Sequence, residues 1–173
     1  MTFHTFYPKT WQGQYYLDYD SEATWEDIVD SVLHDEVKPK MECPAIVLNR
    51  FKTLQTEHGP TVKNRYENLL HTTGWFGLDV DGTGKLTALT KRVIFEKLPE
   101  VKLVWVSSSG DGVKAIGYNP QLKNLSPKEF RMQSLIMSLS FRTRCSMKIN
   151  FDSAMHRCHQ PIFINSDPTA FYR

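Results

Sequence analysis

The sequence predicts a mixed α/β or α+β protein, a sheet covered by helices, on three observations. Two stretches carry complete helix-start signals, Thr24 with Asp27 and Ser126-Pro127 with Glu129. Val101 to Ser107 is rich in Val, Leu and Trp and reads as a central strand. Strand-like and helix-like patterns are mixed along the whole chain, which implies helices packed on a sheet.

Taken in order, residues 3 to 18 alternate loosely between aromatic and polar, which suits a strand. Trp25, Ile28, Val29, Val32 and Leu33 then follow the Thr24 cap at helical spacing. Asp35 to Pro44 reads as a polar loop, and Ala45 to Leu48 as a short strand. Gly59-Pro60 is expected to open a second helix with Val62, Tyr66, Leu69 and Leu70 on one face, ending near Gly74 where another strand begins. Leu86 to Leu98 looks helical and stops before Pro99. After the Val101 strand come a turn at Ser108 to Gly112, a returning strand over Val113 to Tyr118 and a loop over Asn119 to Ser126. The helix opened by Ser126 is expected to run through Met132, Leu135, Ile136 and Leu139. Lys148 to Asp152 reads as another strand, and the tail, Pro161 to Tyr172, has a short apolar run and then Asp167-Pro168.

The chain has 173 residues, enough for one compact domain, and a single domain over 1–173 is expected. The abrupt end at Tyr172-Arg173 leaves room for a longer parent protein. A composition of 40% hydrophobic and 23% charged residues is that of an ordinary globular protein. The net charge of +2 does not announce a polyanion partner, although many of the 21 Lys and Arg fall after Lys102. Three cysteines, Cys43, Cys145 and Cys158, argue for a reducing compartment and against a disulfide framework. No secretory leader and no membrane-spanning run is legible, so a soluble, cytoplasmic protein is expected.

The stretch Gly74-Trp75-Phe76-Gly77-Leu78-Asp79-Val80-Asp81-Gly82 carries the chemistry. Residues two apart in a strand face one side, so Asp79 and Asp81 would present both carboxylates together. Such a pair repels unless a cation or a proton intervenes, and hard oxygen donors suit Mg²⁺ or Mn²⁺. Asp81-Gly82 is also a favoured turn pair, and a solvated acidic pair is a further reading that the apolar lead-in disfavours. Asp79, Asp81 and Gly84 match three positions of a calcium loop, but Thr83 and Thr90 stand where acids belong.

A second stretch, Ser107-Ser108-Ser109-Gly110-Asp111-Gly112-Val113-Lys114, is small and glycine-rich between two strands. Backbone N–H groups there can converge on an anion, with Lys114 supplying charge; taken alone, the stretch fits an ordinary glycine hairpin with an exposed lysine better. The Walker A spacing is absent. A third stretch, Asn150-Phe151-Asp152, ends an apolar run in an acid, followed by Arg157 and Asp167. Asp152 can complete a metal site or cap a turn, and Arg157 can fork onto a phosphate or pair with an acid. Cys145, His156, Cys158 and His159 fit none of the strong zinc spacings, and no residue order supports acyl transfer.

Together the three stretches resemble the archaeo-eukaryotic primase superfamily, the primase-polymerase (PrimPol) group. The pattern is a strand ending in Asp-x-Asp, a Ser/Gly-rich strand-turn-strand with a basic residue, and a later strand ending in Asp. It is most similar to a plasmid, phage and mobile-element branch whose middle motif reads Ser-x-Ser-Gly-x-Gly-x-Lys. Asn165-Ser166-Asp167-Pro168 and the Lys38 to Ile46 segment also resemble that branch, so the likeness covers most of 38 to 172. One departure is that many active members carry His where this chain has Lys114.

The resemblance implies an α/β core with an RRM-like antiparallel sheet beside an N-terminal α/β unit. It implies a DNA primase/polymerase, working by two-metal nucleotidyl transfer on a single-stranded DNA template with nucleoside triphosphates. Asp79, Asp81 and Asp152 would be catalytic and hold Mg²⁺ or Mn²⁺. Ser107, Ser109, Gly110, Gly112, Lys114 and Arg157 would bind nucleotide. A bacterial, plasmid or phage setting and a helicase domain or partner go with it. The rivals are a non-catalytic nucleic-acid-binding replication protein on the same fold, a metal-dependent nuclease and a calcium-binding module.

Overall fold

The computed structural model describes residues 1–12, 14–146 and 148–173. Among them the architecture is mixed α and β, with antiparallel sheets and three α-helices. The chain opens with a long hairpin, β1 (Thr2–Trp11) and β2 (Gln14–Thr24), then α1 (Trp25–His34). Thr24 accepts from the Asp27 N–H while the Asp27 carboxylate accepts from the Thr24 N–H, so the predicted capping box is formed. β3 (Ala45–Val47) and β4 (Arg50–Phe51) follow.

The helix expected after Gly59-Pro60 is not there. β5 (Thr53–Thr56) and β6 (Gly59–Val62) form a hairpin, a single turn covers Tyr66–Asn68, and β7 (Leu69–His71) pairs with β4. Gly59 adopts φ +104°, a conformation outside the right-handed helix that only glycine takes without strain. Pro60 is tolerated because its two-stranded ribbon is all edge. The apolar spacing is misleading here, since Tyr66 and Leu70 are exposed while Val62 is buried.

The second half runs β8 (Thr73–Asp81), α2 (Thr87–Lys97), β9 (Val101–Val106), β10 (Gly112–Lys123), α3 (Pro127–Cys145), β11 (Ile162–Phe163) and β12 (Phe171–Tyr172). β10 runs through part of the segment expected to be loop. Two four-stranded sheets result, ordered β11-β3-β1-β2 and β12-β9-β10-β8. Beyond β8, Phe151 adds an antiparallel bridge to Val80.

Alternation along the strands divides the core. Phe76, Leu78 and Val80 of β8, with Val104, Val113 and Ala115, pack under Ile94 of α2, Leu98 just past its end, and Phe130 and Phe141 of α3. Leu103, Trp105 and Ile116 point the other way, onto Phe3, Ile46, Ile162 and the α1 residues Ile28 and Val32. The central sheet is thus covered by helices on one face and by the N-terminal unit on the other. α3 begins at its predicted capping box, Ser126 with Glu129, but turns Phe130, Ser134, Met137, Ser138 and Phe141 inward. Met132, Leu135, Ile136 and Leu139 face solvent. No described helix is long and apolar enough to cross a membrane.

Candidate functional site

The register of the central sheet sets the site. Asp79 lies opposite Lys114, Asp81 opposite Gly112, and Lys114 in turn opposite Trp105. Directly opposed residues share a face, so Trp105, Lys114 and Asp79 form a row on the side away from α2 and α3. The Asp152 N–H donates to the Asp79 carbonyl at 2.8 Å, next to the Val80–Phe151 bridge. That pairing brings Asp152 opposite Asp79 on the outer side of β8. Asp79, its near neighbour Asp81 and the distant Asp152 therefore meet at one end of one sheet face.

Their environments differ. The Asp79 side chain is 14% exposed and forms an ion pair with Lys114, which is 10% exposed. Its Oδ2 takes the lysine, while Oδ1 is buried with no hydrogen-bond partner. Burial pushes the Asp79 carboxyl up, Lys114 pulls it down, and the charges of Asp81 and Asp152 push it up further; the net shift is upward. Asp81 and Asp152 are exposed. Asp152 Oδ1 accepts from the Ala154 N–H at 2.9 Å, so it caps the Ser153–His156 turn, the alternative the sequence leaves open. Among the described residues no three His, Cys, Asp or Glu side chains already enclose a metal-sized space.

The Ser107–Gly112 connection is a tight turn. The Gly110 N–H donates to the Ser107 carbonyl at 2.9 Å, with Gly110 at φ +75°. Ser107 and Ser109 share a hydroxyl hydrogen bond at 3.0 Å. Gly112 is required by close approach: a Cβ there would stand 2.8 Å from the Val80 carbonyl, 2.9 Å from Ser107 Oγ and 3.3 Å from Asp81 Oδ1. Lys114 points into the row beside Asp79 rather than standing free at the turn. Arg157 is exposed and borders a small cavity with Trp75, Phe76 and Gly77, nearer the start of β8 than its acidic end.

Two residues that carry this geometry escape a reading of the sequence. Asp111 ties the turn to the loop after Asp81: its carbonyl accepts from the Gly82 and Thr83 N–H groups, and its carboxylate from the Gly84 N–H. The signal is present as a repeated Asp-Gly, at 81–82 and 111–112, which the register lays side by side. Lys91 of α2 is the other. It pairs with Asp167 at 2.7 Å, and Asp167 also accepts from the Val106 N–H at 2.9 Å, where β9 enters the serine turn. Asp167 thus anchors the turn and stands apart from the acids. Two segments named by the resemblance do meet, the Lys38 N–H donating to Asn165 Oδ1 at 3.1 Å. Cys145 and Cys158 are buried in the helix-side core, where burial pushes the Cys158 thiol up to about 11. His156 contacts Ser138 instead, and His159 packs on Tyr66.

A family model described as BT4734-like, N-terminal domain, matches residues 58–172, well over half of the chain. The chain belongs to the BT4734-like N-terminal domain family. The matched region runs from β6 to β12 and contains every residue of the site. No curated protein matches the chain, and no solved structure does.

Proposed function

We propose that the chain is a primase-polymerase catalytic domain that joins nucleoside triphosphates on a single-stranded DNA template. The observation that carries this reading is the register that brings Asp79, Asp81 and Asp152 to one sheet face, with Asp79 Oδ1 buried and unpartnered. Desolvating a carboxylate oxygen without a partner is costly, which is the mark of a position made for a cation. The strand order, Phe151 bridge, β8, β10, β9, linked as β-α-β-β-α-β, supports the RRM-like core that the resemblance implies.

The donor set is oxygen only and fits Mg²⁺ or Mn²⁺. Asp79 would hold an ion through Oδ1, and the exposed Asp81 and Asp152 side chains would swing onto it. When bound, such ions lower the pKa of the attacking 3′-hydroxyl and offset charge on the triphosphate. Lys114 fixes the Asp79 rotamer and contributes positive charge next to the phosphates. Ser107, Ser109, Gly110 and Gly112 line the approach of the triphosphate, and Asp111 holds that turn against the Asp81 loop. Arg157 is assigned to a more distant part of the nucleotide or template.

One observation favours a second reading, a non-catalytic DNA-binding protein on the same fold: Lys114 already occupies Asp79 Oδ2. Primer synthesis and extension on single-stranded DNA with Mn²⁺ and either ribo- or deoxynucleotides separate the two. Activity lost in Asp79→Asn and Asp81→Asn is expected. DNA binding without turnover, unchanged in both variants, would establish the non-catalytic reading, and degradation of DNA without nucleotides would establish a nuclease.

A further inference from the structure

α3 has two apolar faces, and the fold covers one. Phe130, Met137 and Phe141 face the central sheet. Met132, Leu135, Ile136 and Leu139 recur at i, i+3, i+4 and i+7 on the opposite side and are 54%, 48%, 54% and 52% exposed. A solvent-facing stripe at this spacing is the pattern by which one helix reads another.

Charge is distributed unevenly around the stripe. At 3.6 residues per turn, Arg131 and Arg142 flank it on the Leu135 side, and Lys128 stands at its head. Gln133 and Ser140 flank it on the Ile136 side, beside a cavity of about 260 Å³ that also involves Gln121. The acid of the helix, Glu129, is held in the Ser126 cap, and Arg144 pairs with Glu100. One edge is therefore basic and the other neutral.

We propose that this face docks an amphipathic helix of a partner protein, apolar on one side and acidic along one edge. The charge pattern selects that occupant. In an antiparallel pair of two copies of this chain, Arg131 would face Arg142; in a parallel pair, Lys128 would face Lys128. A lipid surface fits poorly, because the stripe lacks Trp and Phe, spans only about two turns, and belongs to a helix whose other side is locked in the core. None of the four stripe residues belongs to the acidic site, so the proposal stands whether or not that site is catalytic.

The test uses two fluorescein-labelled helical peptides with Leu at i, i+3, i+4 and i+7, one edged with Glu and the other with Lys, titrated with the whole chain by fluorescence anisotropy. The Glu peptide is expected to bind roughly tenfold tighter or more at low salt, the gap closing as salt rises. Leu135→Gln with Leu139→Gln should weaken it by roughly tenfold or more, because two apolar side chains no longer bury against the peptide. The unfolding midpoint should not move, because both side chains are exposed. Arg131→Glu should reverse the preference between the peptides. Equal binding of both peptides, or undiminished binding by the Leu135/Leu139 variant, overturns the proposal. So does a concentration-dependent dimer, or binding to phosphatidylserine vesicles, that disappears in that variant.

Discussion

Asp79 and Asp167 each meet a lysine inside the fold, yet the two pairs are built to opposite ends. Asp167 accepts from Lys91, from the Val106 and Thr169 N–H groups and from the Thr169 hydroxyl. Burial by itself would raise its carboxyl, but these partners outweigh burial and hold it below the usual carboxylate range. Asp79 has Lys114 on one oxygen and nothing on the other, with two more acids close by, and its carboxyl sits above that range. One pair is a closed network that fastens α2 and the C-terminal segment to the end of β9. The other leaves one buried carboxylate oxygen without a partner. Residue type does not distinguish the pairs; the count of donors around each carboxylate does.

The largest expected effect breaks the closed network. Lys91→Met leaves a buried carboxylate without its cation and should cost about 3 to 5 kcal/mol in urea unfolding. Next, Mn²⁺ at a hundred times its dissociation constant should stabilise the wild-type chain by about 2.7 kcal/mol, read as a rise in the thermal midpoint. Asp79→Asn should abolish that rise, whereas Lys91→Met, whose Asp79 site is intact, should keep it on a lower baseline. No rise in the wild-type chain would mean that Asp79 is not a cation site. Gly112→Ala should cost about 1 to 3 kcal/mol by overpacking, because its Cβ meets the backbone of Val80; it should weaken Mn²⁺ binding as Asp81 is pushed aside.

The smallest effect is the most diagnostic, since the two carboxyls have opposite pH signatures. The Asp167 contribution is present above its unfolded value near 3.8 and is lost as pH falls through its lower folded value. The Asp79 contribution is present below its unfolded value near 3.8 and is lost as pH rises through its higher folded value. The stability of Asp167→Asn relative to wild type should therefore improve on acidification through this window, and that of Asp79→Asn should worsen. Parallel profiles from acid-unfolding series would erase the distinction between the pairs.

Much of the site is legible in the sequence because its signals are local. The apolar lead-in to Asp79-Val80-Asp81, the Ser107–Gly112 turn and both capping boxes depend on residues within a few positions of one another. The Gly59–Leu70 segment misleads because apolar residues at helical spacing also occur by chance across a hairpin, and Gly59 at positive φ decides for the turn. On α3 the helix is legible but its inward face is not. Met132, Leu135, Ile136 and Leu139 make the more apolar stripe, yet the sheet receives Phe130, Met137 and Phe141 with two serines between them.

The sequence alone determined which residues could share a strand, where α1 and α3 start, and that an Asp-x-Asp strand precedes a glycine turn and a final acid. These follow from backbone sterics and short-range hydrogen bonds. Tertiary structure alone decided that Lys114 lies against Asp79, that Asp152 closes the row from the other edge, that Asp167 belongs to Lys91, and which side of α3 is buried. Each depends on strand register or on the packing of elements distant along the chain, where many pairings satisfy the local rules and only burial of the whole core chooses between them.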